Sequence, residues 1–112
     1  MNKVEAIIRP DRLEAVLDAL AEIGYPGVTI SEVRGHGKQK GITQQWRGNE
    51  YAVRFIPKAK IEVVVLDEDL DRTIDTMRRK ARTGNVGDGK IFVTKVERAI
   101  RVRTGEHDMM AI

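Results

Sequence analysis

The stretch from Thr83 to Val93 constrains the fold of this chain more than any other. It places three glycines and a lysine between positions 84 and 90, and a run with strand character, Ile91–Val96, follows. Glycine reaches positive φ and leaves the backbone bare, so successive N–H groups can converge on one anion, and Lys90 adds a positive charge. The pattern predicts a phosphate-binding loop, although an ordinary glycine turn between a helix and a strand fits the same residues.

The loop differs from the Walker A motif that its spacing matches. Gly84 to Lys90 reads G-x-x-x-x-G-K, but Ile91 stands where Walker A needs Ser or Thr to hold Mg²⁺, and a strand follows instead of a helix. A phosphate at this place would meet the unfavourable end of a helix dipole. Further cations are therefore needed, and Arg101 and Arg103 are predicted to point to one side of an extended segment.

The composition limits the kind of protein. Its 112 residues predict a single domain over residues 1–112. The chain lacks cysteine, and His36 and His107 are far apart in sequence, so no metal site built by the protein is predicted. The net charge of +3 tilts the chain towards anionic ligands but does not indicate nucleic acid. With no apolar signal segment and no long apolar run, we expect a cytoplasmic location.

Apolar spacing predicts four strands and two helices in the order β-α-β-β-α-β. This is the ferredoxin-like pattern of the α+β class, in which two helices cover one face of an antiparallel sheet. Val63 and Val65 predict an apolar surface on the other face, for which we expect cover from other subunits. The predicted strands lie near Lys3–Arg9, Val28–Gly35, Ile61–Leu66 and Ile91–Val96, and the helices over Asp11–Ile23 and from about residue 67 to Ala81.

Three further segments have no clear helical or strand period. The first, residues from about 37 to 56, is polar and predicts a long functional loop, unless its ends extend the flanking strands as a hairpin. The other two follow the fourth strand: a short extended piece is expected at Ala99–Arg103 and a C-terminal tail over about 104–112. Separately, Gly84 is predicted to cap the second helix.

The remaining candidates for chemistry are weak. The basic run at positions 78, 79, 80 and 82 fits a nucleic-acid patch, but cations in a last helical turn more often oppose the helix dipole. No catalytic residue is predicted, because no nucleophile with a base and no poised pair of carboxylates is evident. Trp46, Arg47 and Tyr51 in the long loop fit anchors for a partner protein, or residues packed back on the body.

With these residues assembled, the whole chain resembles the PII nitrogen-regulatory signal-transduction proteins. Thr83–Val93 matches one signature of that family at every position. Trp46–Tyr51 resembles the second signature, at the tip of the long loop called the T-loop, and departs from it at Trp46 and Asn49. The resemblance implies a ferredoxin-like fold with the T-loop between the second and third strands, assembled as a homotrimer.

The resemblance also implies ATP or ADP in clefts between subunits. Lys38 matches a phosphate-contacting position that is more often arginine, and it keeps the charge while losing the bidentate fork. Arg101 and Arg103 would reach the phosphates from the neighbouring subunit. The phosphates would lie on Gly87, Asp88, Gly89 and Lys90, and the adenine and ribose among Ile7, Thr29, Gly35, Glu62 and Val64.

The second ligand implied by the resemblance is 2-oxoglutarate. Gln39 would complete the coordination of Mg²⁺ together with the ATP phosphates and the 2-oxo acid. Lys58 would pair with the distal carboxylate, and backbone amides around Gly37, Lys40 and Gly41 would bind the rest.

By this resemblance the chain is a sensor without enzymatic activity, and the T-loop carries its signal. Arg47 matches the residue that plugs the pore of an ammonium transporter, which predicts reversible association with the membrane; the glutamine synthetase system and other proteins of nitrogen metabolism are further expected partners. Tyr51 matches a tyrosine that some relatives have modified. Two alternatives stay open: a slow nucleotide-hydrolysing or phosphotransfer enzyme using the same loop, and a ferredoxin-like RNA-binding module, for which a lone Phe92 is a poor stacking platform.

Overall fold

The computed structural model describes residues 1–38, 44–46, 49–51 and 53–112, with the side chains of 1–36 and 55–112. Two helices and four main strands follow in the predicted order, and the α+β class is confirmed. Short 3-10 turns at Pro10–Arg12 and Asp67–Asp69 lead into the helices. The elements are β1 (Asn2–Ile8), α1 (Leu13–Glu22), β2 (Thr29–Lys38), β3 (Gln44–Trp46), β4 (Asn49–Tyr51), β5 (Val53–Val65), α2 (Leu70–Ala81) and β6 (Gly89–Lys95).

The four-stranded sheet has the order β2-β5-β1-β6, with every neighbouring pair antiparallel. β2 and β5 pair as far as Lys38 and Val53, so the ends of the predicted long loop do extend the flanking strands. The short strands β3 and β4 pair with each other in a separate ribbon. The strand that follows the glycine loop, β6, forms one edge of the main sheet and pairs with β1.

The core lies between the sheet and the two helices. In β1 the buried side chains alternate, as a strand with one covered face requires, and Val4, Ala6 and Ile8 pack inward. In α1 and α2 the buried residues recur at helical spacing, with Leu20 and Met77 fully buried. The helices therefore cover one face of the sheet and leave the other face without cover from the described part of the chain.

The expectation that Val63 and Val65 form the uncovered face is wrong. Both are buried, at 2% and 0% exposure, because they lie opposite Val4 and Asn2 of β1 on the face that packs against the helices. Side chains alternate along β5, so the uncovered face takes the intervening residues instead. Those include Lys60 and Glu62, and Lys3 of β1 lies 3.2 Å from the Glu62 carboxylate. That face combines ion pairs with half-buried apolar side chains.

Two local predictions about the second helix and the C-terminal segment also need correction. Arg82, in an extended conformation, caps α2 instead of Gly84, which has a φ of +93° two residues later. The segment predicted to be extended at Ala99–Arg103 pairs only at Ile100, opposite His107, and then turns. No helix of the described residues is long and apolar enough to cross a bilayer.

Tyr25 ties the turn after α1 to the start of α2. Its hydroxyl donates to Asp69 Oδ2 at 2.5 Å and accepts from the Leu66 N–H at 3.2 Å. Removing that hydroxyl leaves two partly buried groups without this partner, so we expect Tyr25→Phe to lower the free energy of unfolding by about 1–3 kcal/mol. Urea titration followed by circular dichroism measures the change. A loss smaller than about 0.3 kcal/mol would show that water replaces the hydroxyl at no cost.

Candidate functional site

The Asp88 side chain closes the glycine loop on itself. Its Oδ2 accepts hydrogen bonds from the backbone N–H groups of Thr83 and Gly84, at 2.8 and 2.9 Å. Its Oδ1 accepts from the Thr83 hydroxyl and, at 2.9 Å, from Nε of Arg9. These hydrogen bonds, those from Thr83 first and that from Arg9 next, hold the pKa of the Asp88 carboxyl well below its usual range. The carboxylate is thus used inside the loop, which leaves its backbone as the part that faces a ligand.

Two successive backbone donors of the loop are left available. Within the described part of the chain, the N–H groups of Val86 and Gly87 donate no hydrogen bond, whereas the N–H of Asn85 is used by the Thr83 hydroxyl and that of Asp88 closes the turn that begins at Asn85. Gly87 has a φ of +98°, a conformation that side-chain-bearing residues rarely adopt. Consecutive free N–H groups around such a turn form a concave site for an anion.

The loop borders a cleft of about 460 Å³ on the uncovered side of the sheet. The volume lies within the range of small-molecule sites. Six of the residues predicted to bind ligands are brought together there, and five others join them without having been predicted: Arg9, His36, Ile56, Val86 and Phe92. The predicted residues that line this cleft are Ile7, Gly35, Lys58, Gly87, Gly89 and Lys90.

Lys58 reaches across the cleft from β5 to the loop, where its ammonium group donates a hydrogen bond to the carbonyl of Gly87. Partial burial lowers the pKa of Lys58, and the positive charge of Arg9 lowers it further, while Asp88 acts in the opposite direction. An anion in the cleft would act against both effects, because a nearby negative charge favours the charged form of Lys58. Lys58 therefore places a cation in the cleft while it contacts the glycine loop.

The residues predicted around adenine and ribose fall in two places. Ile7 and Gly35 lie in the loop cleft, but Thr29, Glu62 and Val64 line a second cleft of about 880 Å³. Thr29 and Glu62 lie directly opposite each other on β2 and β5. The C-terminal residues Met109, Ala111 and Ile112 border the same space.

The two arginines near the C-terminus are not held on an extended strand, which corrects the prediction that they point to one side of one. The chain turns between Arg101 and Glu106: the Arg101 N–H donates to the Glu106 carbonyl at 2.8 Å, and the guanidinium lies 3.2 Å from the Glu106 carboxylate. Arg103 is exposed on this turn. Neither arginine lines the loop cleft of its own chain.

Several predicted residues lie outside the described part of the structure. Gly37 and Lys38 belong to the end of β2 and Tyr51 to β4, but their side chains are not described. Gln39, Lys40, Gly41 and Arg47 lie wholly outside the described residues. Their assignments stay predictions.

Acid is expected to weaken the loop through Asp88. Because its pKa is lowered on folding, this carboxylate stabilises the fold above its unfolded pKa of about 4, and the stabilisation is lost as the pH falls below that value. Asp88→Asn should thus be less stable than wild type at neutral pH, with the difference shrinking towards about pH 2. Urea midpoints at several pH values measure this. Glu97→Gln, at an exposed residue without an ion pair among those described, is the control, and a pH-independent difference would contradict the assignment.

Comparison with known proteins supports one interpretation of this geometry. A family profile described as nitrogen regulatory protein P-II matches residues 1–106. The chain is 55% identical to the nitrogen regulatory protein P-II of Klebsiella oxytoca and 53% identical to that of Bradyrhizobium diazoefficiens, over 112 residues and the whole of each chain. A crystal structure of Arabidopsis thaliana PII bound to citrate aligns with a TM-score of 0.82 at 44% identity, covering 99% of this chain and 91% of that one.

Proposed function

The chain belongs to the nitrogen regulatory protein P-II family, a family of regulators rather than enzymes, and on that premise we propose what it senses. The ligands are ATP or ADP together with 2-oxoglutarate, bound in clefts between the subunits of a homotrimer. The bound state is passed to partner proteins through the T-loop, residues 37–56.

The glycine loop carries this proposal. Two free N–H groups, at Val86 and Gly87, stand beside Lys90 at the mouth of one cleft, and an anion is the ligand such a group of donors selects. Since β6 is a strand, no helix N-terminus contributes, and the charges of Lys58 and Lys90 take its place. A nucleoside polyphosphate supplies phosphates for the loop and an apolar base for the adjoining surface.

The division of the predicted residues between two clefts supports an intersubunit site. Thr29, Glu62 and Val64 lie apart from the loop, and Arg101 and Arg103 lie on a turn that does not reach the loop cleft of the same chain. A second copy can bring its own set of these residues to the loop of the first. The uncovered sheet face, with Ile7 and Val64 half-buried on it, is the surface through which three copies would associate.

2-Oxoglutarate is the proposed second ligand, and Lys58 carries that part. Its ammonium group lies beside the loop, so a dicarboxylate held there sits next to the nucleotide phosphates. Gln39 would hold Mg²⁺ together with both ligands, and the ion would neutralise charge between them. The relative from Arabidopsis thaliana is described as bound to citrate, which supports a carboxylate-binding role for this fold.

The proposed partner is an ammonium transporter, contacted by Arg47 at the tip of the T-loop. Proteins of the glutamine synthetase system and of nitrogen metabolism more widely are the next candidates, and no nucleic acid is expected. The protein would be cytoplasmic and would join the membrane only through the transporter.

Calorimetry on the purified protein tests the ligand part of the proposal. ATP should bind, and its affinity should rise when 2-oxoglutarate is added in the presence of Mg²⁺. By thermodynamic reciprocity, ATP should raise the affinity for 2-oxoglutarate by the same factor. Light scattering on the same sample should give the mass of three chains. If the affinity for ATP did not change with 2-oxoglutarate, the proposal of 2-oxoglutarate as second ligand would be wrong. If the protein were a monomer, the proposal of a site between subunits would be wrong.

A further inference from the structure

Two nitrogen atoms of the Arg9 guanidinium group donate hydrogen bonds to the glycine loop. Nε donates to Asp88 Oδ1 at 2.9 Å, and Nη2 donates to the Val86 carbonyl at 2.7 Å. The group also lies against Gly87: a Cβ added to that residue would be 3.3 Å from Nη2. Arg9 therefore contacts three consecutive residues of the loop, including Val86 and Gly87, whose N–H groups are free.

We propose that Arg9 is a positioning residue that holds the phosphate-binding loop in its binding shape. The inference rests on the proposed nucleotide site and adds to it a residue that the sequence did not indicate. Arg9 acts from the wall of the cleft: it takes up the Val86 carbonyl and the Asp88 carboxylate, the two acceptors that would otherwise repel a phosphate. The N–H groups of Val86 and Gly87 stay available to the ligand.

The chain gives Arg9 a rigid base. It follows the last residue of β1, Ile8, which lies directly opposite Gly89 at the start of β6. It precedes Pro10, and a residue before proline is restricted to extended conformations; Arg9 has φ −64° and ψ 136°. The backbone of Arg9 is thus fixed close to the loop before its side chain makes any contact.

Arginine is needed here rather than any cation. The two acceptors are met by different nitrogens of one planar fork, whereas the ammonium of lysine is a single point charge on a flexible stem. The charge matters as well, because Arg9 neutralises Asp88 and so leaves Lys58 and Lys90 for the ligand. Loss of Arg9 would leave an acidic carboxylate beside the phosphate position without its partner.

The test compares Arg9→Gln and Arg9→Lys with Arg12→Gln. Arg12 is a matched control, since its Nε also donates to a distant backbone carbonyl, that of Lys80 at 3.0 Å, but it does not line the loop cleft. ATP affinity, measured by calorimetry, should fall about 10- to 100-fold in Arg9→Gln and less in Arg9→Lys, and should stay within about twofold in Arg12→Gln. Unchanged affinity in Arg9→Gln would overturn the inference.

A double-mutant cycle and a ligand-free measurement separate positioning from general stability. In an Asp88→Asn background, Arg9→Gln should cost much less ATP affinity than in wild type, because the partner is gone. In nucleotide-free protein, ¹⁵N NMR should show shifted amides of Gly84, Gly87 and Gly89 in both Arg9 variants but not in Arg12→Gln. If the amides shift and wild type binds no ATP, the proposed function fails while positioning stands; if they do not shift, positioning fails.

Discussion

Gly89→Ala is expected to lower the free energy of unfolding by about 3–5 kcal/mol, more than any other alanine substitution at a glycine of the loop. Gly89 has a φ of +109°, where a side chain is strained, and an added Cβ would overlap the Ile7 carbonyl oxygen and lie 2.9 Å from its carbon. Both obstacles are backbone, so neither can move aside cheaply. Urea or thermal unfolding measures the loss, and the variant should also lose ATP binding as β6 separates from β1.

Two other glycines provide the controls. Gly84 has a φ of +93°, but an added Cβ would have no neighbour within 4 Å, so Gly84→Ala should cost only the conformational part, about 1–2 kcal/mol. Gly27 has neither a positive φ nor a neighbour within 4 Å, and Gly27→Ala should change stability by less than about 0.5 kcal/mol. Equal losses at Gly84 and Gly89 would show that the approach to Ile7 relaxes without cost.

Lys58→Met is expected to weaken 2-oxoglutarate binding about 100-fold in the presence of ATP and Mg²⁺. A hydrogen bond between charged groups contributes about 1.5–3 kcal/mol, and Lys58 is the described cation nearest the loop on β5. Methionine keeps much of the apolar stem, so packing is largely preserved. The affinity for ATP in the absence of 2-oxoglutarate should fall less than about tenfold, because the contact with Gly87 is only one of several that shape the loop.

Lys95→Met is the matched control for charge. Lys95 ends β6 on the same sheet, is 73% exposed, and lies 3.8 Å from Asp67, away from the cleft. Both variants lower the net charge equally, so a general electrostatic effect would appear in both. If Lys95→Met weakened the binding of 2-oxoglutarate as much as Lys58→Met does, the assigned role of Lys58 would be wrong.

Periodicity was sufficient for the architecture because each strand and helix has a single covered face. The alternation in β1 and the spacing of Leu20 in α1 follow directly from that requirement. It was insufficient for β5, where both faces carry valines. Val63 and Val64 cannot be assigned to a face from composition, and the register opposite Val4 decides that Val63 is buried.

The geometry of the candidate site was predictable where the glycine backbone sets it, and not where distant side chains meet. Glycine adopts positive φ more readily than other residues, so the loop glycines predict such a backbone, and Gly87 and Gly89 both have positive φ. The contact between Arg9 and Asp88 joins residues 79 positions apart and depends on β1 lying beside β6. The only local signal was Pro10, which fixes the conformation of Arg9 but says nothing of its target.

The carboxylate that closes the loop has a consequence for the timing of recognition. Ordering a backbone costs about 1–2 kcal/mol of conformational entropy per residue. Asp88 ties Thr83 and Gly84 to the start of β6 in the folded chain. The conformational entropy of these residues is therefore lost when the chain folds, and its loss does not weaken ligand binding. On the proposed function, a phosphate would meet donors already in place, so its association rate should depend on diffusion and charge, and therefore on ionic strength, with no delay for closure of this loop.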